Sequence, residues 1–309
     1  MIKQAYMQSG EAIGTEIELW LVTFEPEKAE NMFKILWKEI HDFESRFSRF
    51  KADSEVTRLN LNAGKTIPIS KELNDILETS KNFSTITKGT FNPFILPEVQ
   101  RAGYVHSMTG GRNVGYLDYS ERMVVDIKFL EIKGGSVLIP EGTAIDLGGI
   151  GKGYLADLLA KLLDGVVEDY CLSLGGDILC KGLNVDKEWE IDIQSNLDRN
   201  ENIATYSDGV EAYSVATSAL TRIKGGKEQL HLINPKQKPS QNEYEMCSVV
   251  ANDATTADVM ASCILIDGKG LAEELFRQNV VKAVLLQGRG DIPPAVLGSG
   301  FKINKIKAS

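Results

Sequence analysis

Apolar residues recur along the chain at two distinct spacings, and each spacing predicts a different element. Residues 27–47 carry Met32, Ile35, Leu36, Ile40 and Phe43 at steps of three and four, which predicts an amphipathic helix. Residues 70–87 repeat the pattern with Leu73, Ile76, Leu77, Ser80 and Phe83 or Ser84 on one face, and Ser70 stands where an N-cap belongs. Further helices are expected over 152–163, with Leu155, Leu158, Leu159 and Leu162 inward, and over 257–265 and 270–278. Strict alternation in WEIDIQS, residues 189–195, predicts a half-buried strand. IELWLVT at 17–23 reads as a strand entered from a turn around Gly14, and 209–217, 246–251 and 283–287 read as strands too. Residues 124–145 divide into two short strands at Gly134-Gly135. Residues 170–181 divide into two strands at a Gly175-Gly176 turn or bulge. Because strands and helices mix without a regular βαβ alternation, the expected class is α+β, mixed sheets with flanking helices. No low-complexity stretch or linker interrupts the chain, so residues 1–309 are expected to form one domain.

Composition narrows what such a fold can bind. Of 309 residues, 43% are hydrophobic and 25% charged, enough apolar material for a sizeable core. Lys and Arg total 34 against 43 Asp and Glu, a net charge of −9, which argues against broad nucleic-acid binding. Any anionic nucleotide bound here must be neutralised locally. The four cysteines, Cys171, Cys180, Cys247 and Cys263, form no CxxC pair; three of them sit in apolar segments and read as small buried hydrophobes, and a disulfide framework is not expected. The first fifteen residues are polar, with no basic region ahead of an apolar run and no lipobox-like cysteine. No segment approaches the roughly 20 apolar residues of a membrane span. The expectation is a soluble, cytoplasmic protein, unless an export leader has been trimmed away.

The densest chemical signal is AIDLGGIGKGYLAD, residues 144–157. Asp146 ends a strand, glycines follow at 148, 149, 151 and 153, and Lys152 opens a helix. Such a turn lets backbone N–H groups and the helix dipole meet a phosphate, and Lys152 adds a point charge. The spacing is neither that of a P-loop nor of the dinucleotide-binding fingerprint. A tight packing turn would use the same glycines, with Asp146 as a turn cap. In TTADVMAS, residues 255–262, Asp258 and Ser262 stand four apart on one helix face, a hard-oxygen pair suited to Mg²⁺. Thr255-x-x-Asp258 also fits a capping box with Thr255 as N-cap. His231 in HLINP is either a structural residue or a reactive one, and the turn Thr87-x-Gly89-Thr90-Phe91-Asn92-Pro93 offers Phe91 and Asn92 to a ligand.

Taken in order, Gly14-Thr15, FSRFKADSEVTRLN, TKGTFNPFILP, IDLGGIGKGYLAD, LSLGGDILCKG, SVATS, HLINP and ADVMAS make the chain resemble the ApbE family of flavin transferases. The resemblance covers nearly the whole sequence. It implies a T-fold-like α+β domain and a Mg²⁺-dependent reaction that moves FMN from FAD onto a Thr or Ser of an acceptor protein, releasing AMP. By the same resemblance Ile13, Phe50, Thr90, Phe91, Asn92, Asp146, Lys152 and Ile233 would contact FAD. The carbonyl of Gly149, with Asp258 and Ser262, would hold Mg²⁺. His231 would act as the base, and Asp258 would count with it as catalytic. Hydrolysis of FAD to FMN and AMP, or FAD binding without catalysis, remain alternatives from the same residues. Four departures from the family pattern stand out: Ile13 for Met, Asn92 for Asp, Ser262 for Thr, and NPKQKPS after Leu232-Ile233 in place of Asp-Pro-Arg-Thr-Gly.

Overall fold

The computed structural model describes residues 2–104, 117–195, 201–209, 211–224, 227–230, 232–236 and 243–304. Its centre is an antiparallel sheet whose eight strands follow one another in space in the order they occur in sequence. They are β1 (Gln4–Ala12), β2 (Thr15–Thr23), β3 (Asp169–Leu174), β4 (Asp177–Lys181), β5 (Tyr213–Ala219), β6 (Tyr244–Ala251), β7 (Ala283–Gly288) and β8 (Ala295–Leu297). The helices are α1 (Pro26–Phe47), α2 (Glu55–Leu61), α3 (Lys71–Ile86), α4 (Leu96–Arg101), α5 (Gly151–Leu163), α6 (Ala254–Asp267) and α7 (Lys269–Arg277). This is an α+β architecture, as the mixed pattern predicts.

Alternation along the strands sorts side chains onto two faces. Ile17, Leu19 and Leu21 of β2, Leu172 and Leu174 of β3, and Val249 of β6 join the large core under the helices. Val22, Cys171, Cys180, Val215, Val250 and Leu285 point the other way. There they meet a small sheet of Ile191–Gln194, Asn202–Tyr206 and Phe301–Ile303. Helix α6 lies across β5 and β6 with α5 beside it, and α1 packs on α5 and the β1–β2 hairpin. Helix α6 is buried on nearly every face, so it has no polar stripe.

Several expectations are adjusted. β1 is longer and more regular than its polar sequence suggests; it is an edge strand with a mostly exposed pattern, for which polar residues are appropriate. Ile35 of α1 is exposed at 47%, and Leu158 and Leu162 of α5 are only partly buried, their inward places going to Ala156 and Leu163. The strand expected from Gly209 begins at Tyr213. All four cysteines are buried thiols; Cys171 and Cys180 face one another across β3 and β4 with Sγ···Sγ at 2.9 Å. Among the described residues no helix is long and apolar enough to cross a membrane.

Candidate functional site

The glycine-rich segment is held at its entrance by Asn60. This buried side chain donates to the Ile145 carbonyl at 2.9 Å and accepts from the Ile145 N–H at 2.8 Å, imitating a strand partner. The next N–H, that of Asp146, goes to the Pro93 carbonyl at 2.8 Å. The chain is thus pinned between α2 and the Thr90–Pro93 turn before the glycines begin. A Cβ on Gly148 would lie 2.9 Å from an Asp146 carboxylate oxygen, so the glycine turn folds closely over that side chain. A Cβ on Gly149 would come within 3.6 Å of Phe91, so the glycine turn and the Phe91 ring are neighbours. Ile150 and Gly151 donate to the Leu147 carbonyl, and Gly153 donates to Asp258. Among the described residues, the N–H groups of Gly148, Gly149 and Lys152 remain without such a partner at the start of a thirteen-residue helix. An anion is well received there.

Two helices deliver the charged groups. Gly153 lets α5 approach the first turn of α6 so closely that a Cβ would lie 2.4 Å from the Ala254 carbonyl oxygen. The cap of α6 is Asp253, whose carboxylate accepts from Thr256 N–H at 2.7 Å, so Thr255 is not the N-cap. Thr255 and Ala254 instead donate their N–H groups to Asp157 of α5, at 2.9 and 2.8 Å. Burial pushes the Asp157 carboxyl above its ordinary value, and these bonds offset only part of that rise. Asp258 is therefore free of capping duty. It is 4% exposed, with one oxygen on Gly153 N–H at 3.1 Å and the other 3.1 Å from Lys152 Nζ. Lys152 Nζ also contacts Asp177, the residue after the Gly175-Gly176 turn. Burial alone would lower the Lys152 pKa, but the two carboxylates outweigh it and hold the ammonium above the usual lysine value. One turn along α6 from Asp258, Ser262 shares a 2.8 Å hydrogen bond with Ser218 of β5.

The remaining expected residues surround this centre in three groups. Asp146 is paired with Arg49, whose Nε lies 3.3 Å away, and the Arg49 guanidinium stacks on Phe50 at 4.4 Å. Ile13 and Gly14 form the two-residue turn of the β1–β2 hairpin with φ of 50° and 77°, the signature of a type I′ turn. A β-branched residue there is a genuine outlier. The turn packs on the β3–β4 turn, since Gly175 N–H donates to the Glu16 carbonyl at 2.9 Å and a Cβ on Gly175 would strike Thr15 Oγ1. Thr90 and Phe91 are buried, Thr90 meeting both Asp267 and Lys236. Asn92 accepts from Phe94 N–H at 3.0 Å and donates to the Val125 carbonyl at 2.8 Å. The second bond needs an amide, which an ionised Asp cannot supply. Ile233 is partly buried, and Asn234 accepts from Lys236 N–H at 2.9 Å, so the Asn keeps the Asx turn before Pro235. His231 lies outside the described residues.

Asn60, Arg49, Asp177 and Lys236 contact the expected residues or their neighbours, and the sequence pattern assigns them no role. Asn60, Arg49 and Asp177 sit inside the quoted motifs, and that placement was the available signal. A cleft of about 260 Å³ opens beside Gly89, Asn92, Pro235 and Lys236. A larger one, about 610 Å³, runs past Tyr154, Asp157 and Thr256 and includes none of the expected ligand-binding residues.

Among the described residues no three His, Cys, Asp or Glu gather as a ready metal cage. The donors expected from the sequence are the Asp258 carboxylate, the Ser262 hydroxyl and the Gly149 carbonyl, and that same Asp258 carboxylate is bridged to Asp177 by the Lys152 ammonium. That chemistry fits a hard divalent ion that keeps waters and substrate phosphates as its other ligands, and it does not fit zinc.

Comparison with known proteins gives a consistent result. The family model described as "ApbE family" matches residues 13–285. The FAD:protein FMN transferase of Haemophilus influenzae is 24% identical over 297 residues, covering 90% of this chain and 85% of that protein. The Escherichia coli K12 protein of the same name is 21% identical, covering 95% and 87%. Among solved structures, flavin transferase ApbE from Vibrio cholerae superposes with a TM-score of 0.79 at 23% identity, covering 96% of this chain and 97% of that one. The apo form of Pseudomonas stutzeri flavinyl transferase ApbE also gives 0.79, at 18% identity and 96% and 95% coverage.

Proposed function

The chain belongs to the ApbE family, and on that premise we propose that it is a FAD:protein FMN transferase acting on a Thr or Ser hydroxyl of an acceptor protein. The acceptor oxygen forms a new phosphoester bond to the FMN phosphorus. The pyrophosphate P–O bond breaks, AMP leaves with the electron pair, and the hydroxyl proton passes to a base. The observation that carries this reading is the meeting of Lys152, Asp258 and the open N–H groups of Gly148 and Gly149 at the start of α5. In an acidic protein, Lys152 and these N–H groups are local donors to a pyrophosphate, and a divalent cation would offset the Asp177 and Asp258 carboxylates beside them.

Each residue then has a task. Lys152 and the glycine N–H groups hold pyrophosphate oxygens. Asp258, Ser262 and the Gly149 carbonyl are the ligands for Mg²⁺, which when bound neutralises charge on the leaving phosphate. Ile13, Phe50 and Phe91 supply apolar surface for the flavin, and Asp146, fixed by Arg49, together with Thr90, Asn92 and Ile233, shapes its pocket. His231 accepts the hydroxyl proton, a role worth roughly 10²- to 10⁴-fold in rate.

The test is incubation with FAD, Mg²⁺ and a protein carrying a Thr acceptor motif, followed by in-gel flavin fluorescence and a measurement of free FMN. A fluorescent acceptor band, absent with Asp258→Ala, is the expected result. Free FMN without a labelled acceptor would overturn transfer in favour of hydrolysis. Intact bound FAD would overturn catalysis altogether.

A further inference from the structure

Asp177 has no part in the reaction as just described, yet it makes the closest contact to Lys152. Three charged groups meet here, and they differ in freedom. The Asp177 and Asp258 side chains are each 6% exposed, whereas that of Lys152 is 25% exposed on a flexible four-carbon stem. Asp177 stands at the start of β4, where the Gly175 turn is braced by Thr15 and Glu16. Asp258 is fixed by Gly153 N–H. Lys152 is the movable member, and its Nζ lies 3.1 Å from Asp258 Oδ1.

We propose that Lys152 is an internal cation competing with the divalent metal for Asp258, and that Asp177 is the positioning residue that receives Lys152 when the metal enters. The inference rests on the reading of Asp258 as a metal ligand. An ammonium and a divalent cation repel one another on a shared carboxylate, so Lys152 retreats to Asp177 as the metal binds. Without Asp177 the lysine would have Asp258 as its sole carboxylate partner and would compete harder. The same exchange sets an order of binding. Two carboxylates with one ammonium leave the centre negative and hostile to a pyrophosphate. Addition of a divalent cation makes it positive, so the dinucleotide follows the metal or arrives with it.

The experiment is calorimetric titration of Mg²⁺ alone, at fixed ionic strength, into metal-free and FAD-free protein, with circular dichroism to confirm folding. Lys152→Met is expected to raise Mg²⁺ affinity about tenfold and Asp177→Asn to lower it by a similar factor, the scale of one charge-assisted contact. In the Lys152→Met background, Asp177→Asn should have little further effect, because Asp177 acts through the lysine. A full loss in that background would make Asp177 a metal ligand itself and overturn the proposal. Affinity unchanged in both single variants, or moved the same way, would also overturn it. Lys152→Gln serves if Lys152→Met misfolds, and Asp177→Glu should restore part of the affinity. Asp258→Ala separates the two levels. If Mg²⁺ still binds that variant, the metal assignment fails and this inference falls with it. If binding is lost there while the single variants do not diverge, this inference alone fails.

Discussion

Ile13 shows how a single residue can carry a cost that sequence pattern conceals. Its φ of 50° puts a β-branched side chain in the left-handed region, a conformation that costs on the order of 1–3 kcal/mol. Strain of this kind persists where it serves a ligand. Ile13→Asn creates Asn-Gly, the preferred type I′ pair, and is expected to stabilise the fold by about 1 kcal/mol, raising the melting midpoint by about 1–2 °C. Equilibrium FAD titration should show weaker binding by the same variant, since an apolar contact is lost. A gain in stability with unchanged FAD affinity would remove Ile13 from the flavin surface. Asn92 teaches the converse. Its departure from Asp looks like a lost charge in sequence, but its amide donates to the Val125 carbonyl, a partner 33 residues away that no local pattern reveals. Asn60, Arg49 and Asp177 were unassigned for the same reason: their partners, Ile145, Asp146 and Lys152, are remote in sequence.

At the scale of elements, periodicity located what is amphipathic and was weakest where burial is uniform or absent. α3 was readable to its cap, because its apolar face and Ser70 both announce it. Ser70→Ala should cost about 1 kcal/mol, measurable by urea denaturation, since Ser70 Oγ accepts from Leu73 N–H at 3.1 Å. α6 is apolar on almost every side, so no stripe fixes its start, and the sequence offers Thr255 as the N-cap where the structure has Asp253. The structure decides for Asp253 because Asp157 reaches across from α5 and takes the N–H groups of Ala254 and Thr255. α2 was missed for its seven-residue length, and β1 for its polarity. The contact of Gly153 with Ala254 gives a sharp test of the α5–α6 pair. Gly153→Ala forces backbone apart, and is expected to cost about 1–3 kcal/mol in denaturant unfolding. It should also reduce Mg²⁺ affinity, because Lys152 and Asp258 sit on the two helices being separated.

Across the whole molecule, the net charge of −9 leaves neutralisation of an anionic ligand to a few local groups. Chelation of divalent ions with EDTA should abolish flavin transfer without unfolding the protein, and excess Mg²⁺ should restore it. Transfer that survives chelation would remove Asp258 and Ser262 from the metal assignment. The fold class was legible from the mixture of elements, but the sheet order was not. β2 and β3 are neighbours although the chain between Thr23 and Asp169 carries α1 to α5.

That single pairing has a kinetic consequence. The segment from Thr23 to Asp169 contains Phe50, the Thr90–Asn92 turn, Asp146 and Lys152, while Ile13 and Asp177 lie on the hairpins at its two ends. Closing this long loop is slow, because the entropy of ordering it is lost before the β2–β3 ladder returns any stabilisation. It is also the step that sets Thr15 against Gly175 and brings the proposed ligand-binding residues together. Chains that have formed the hairpins and helices but not this closure are expected to have no flavin affinity. During refolding, recovery of FAD binding should trail the return of helical circular dichroism and coincide with the slowest phase, making the ligand a reporter of the last long-range closure.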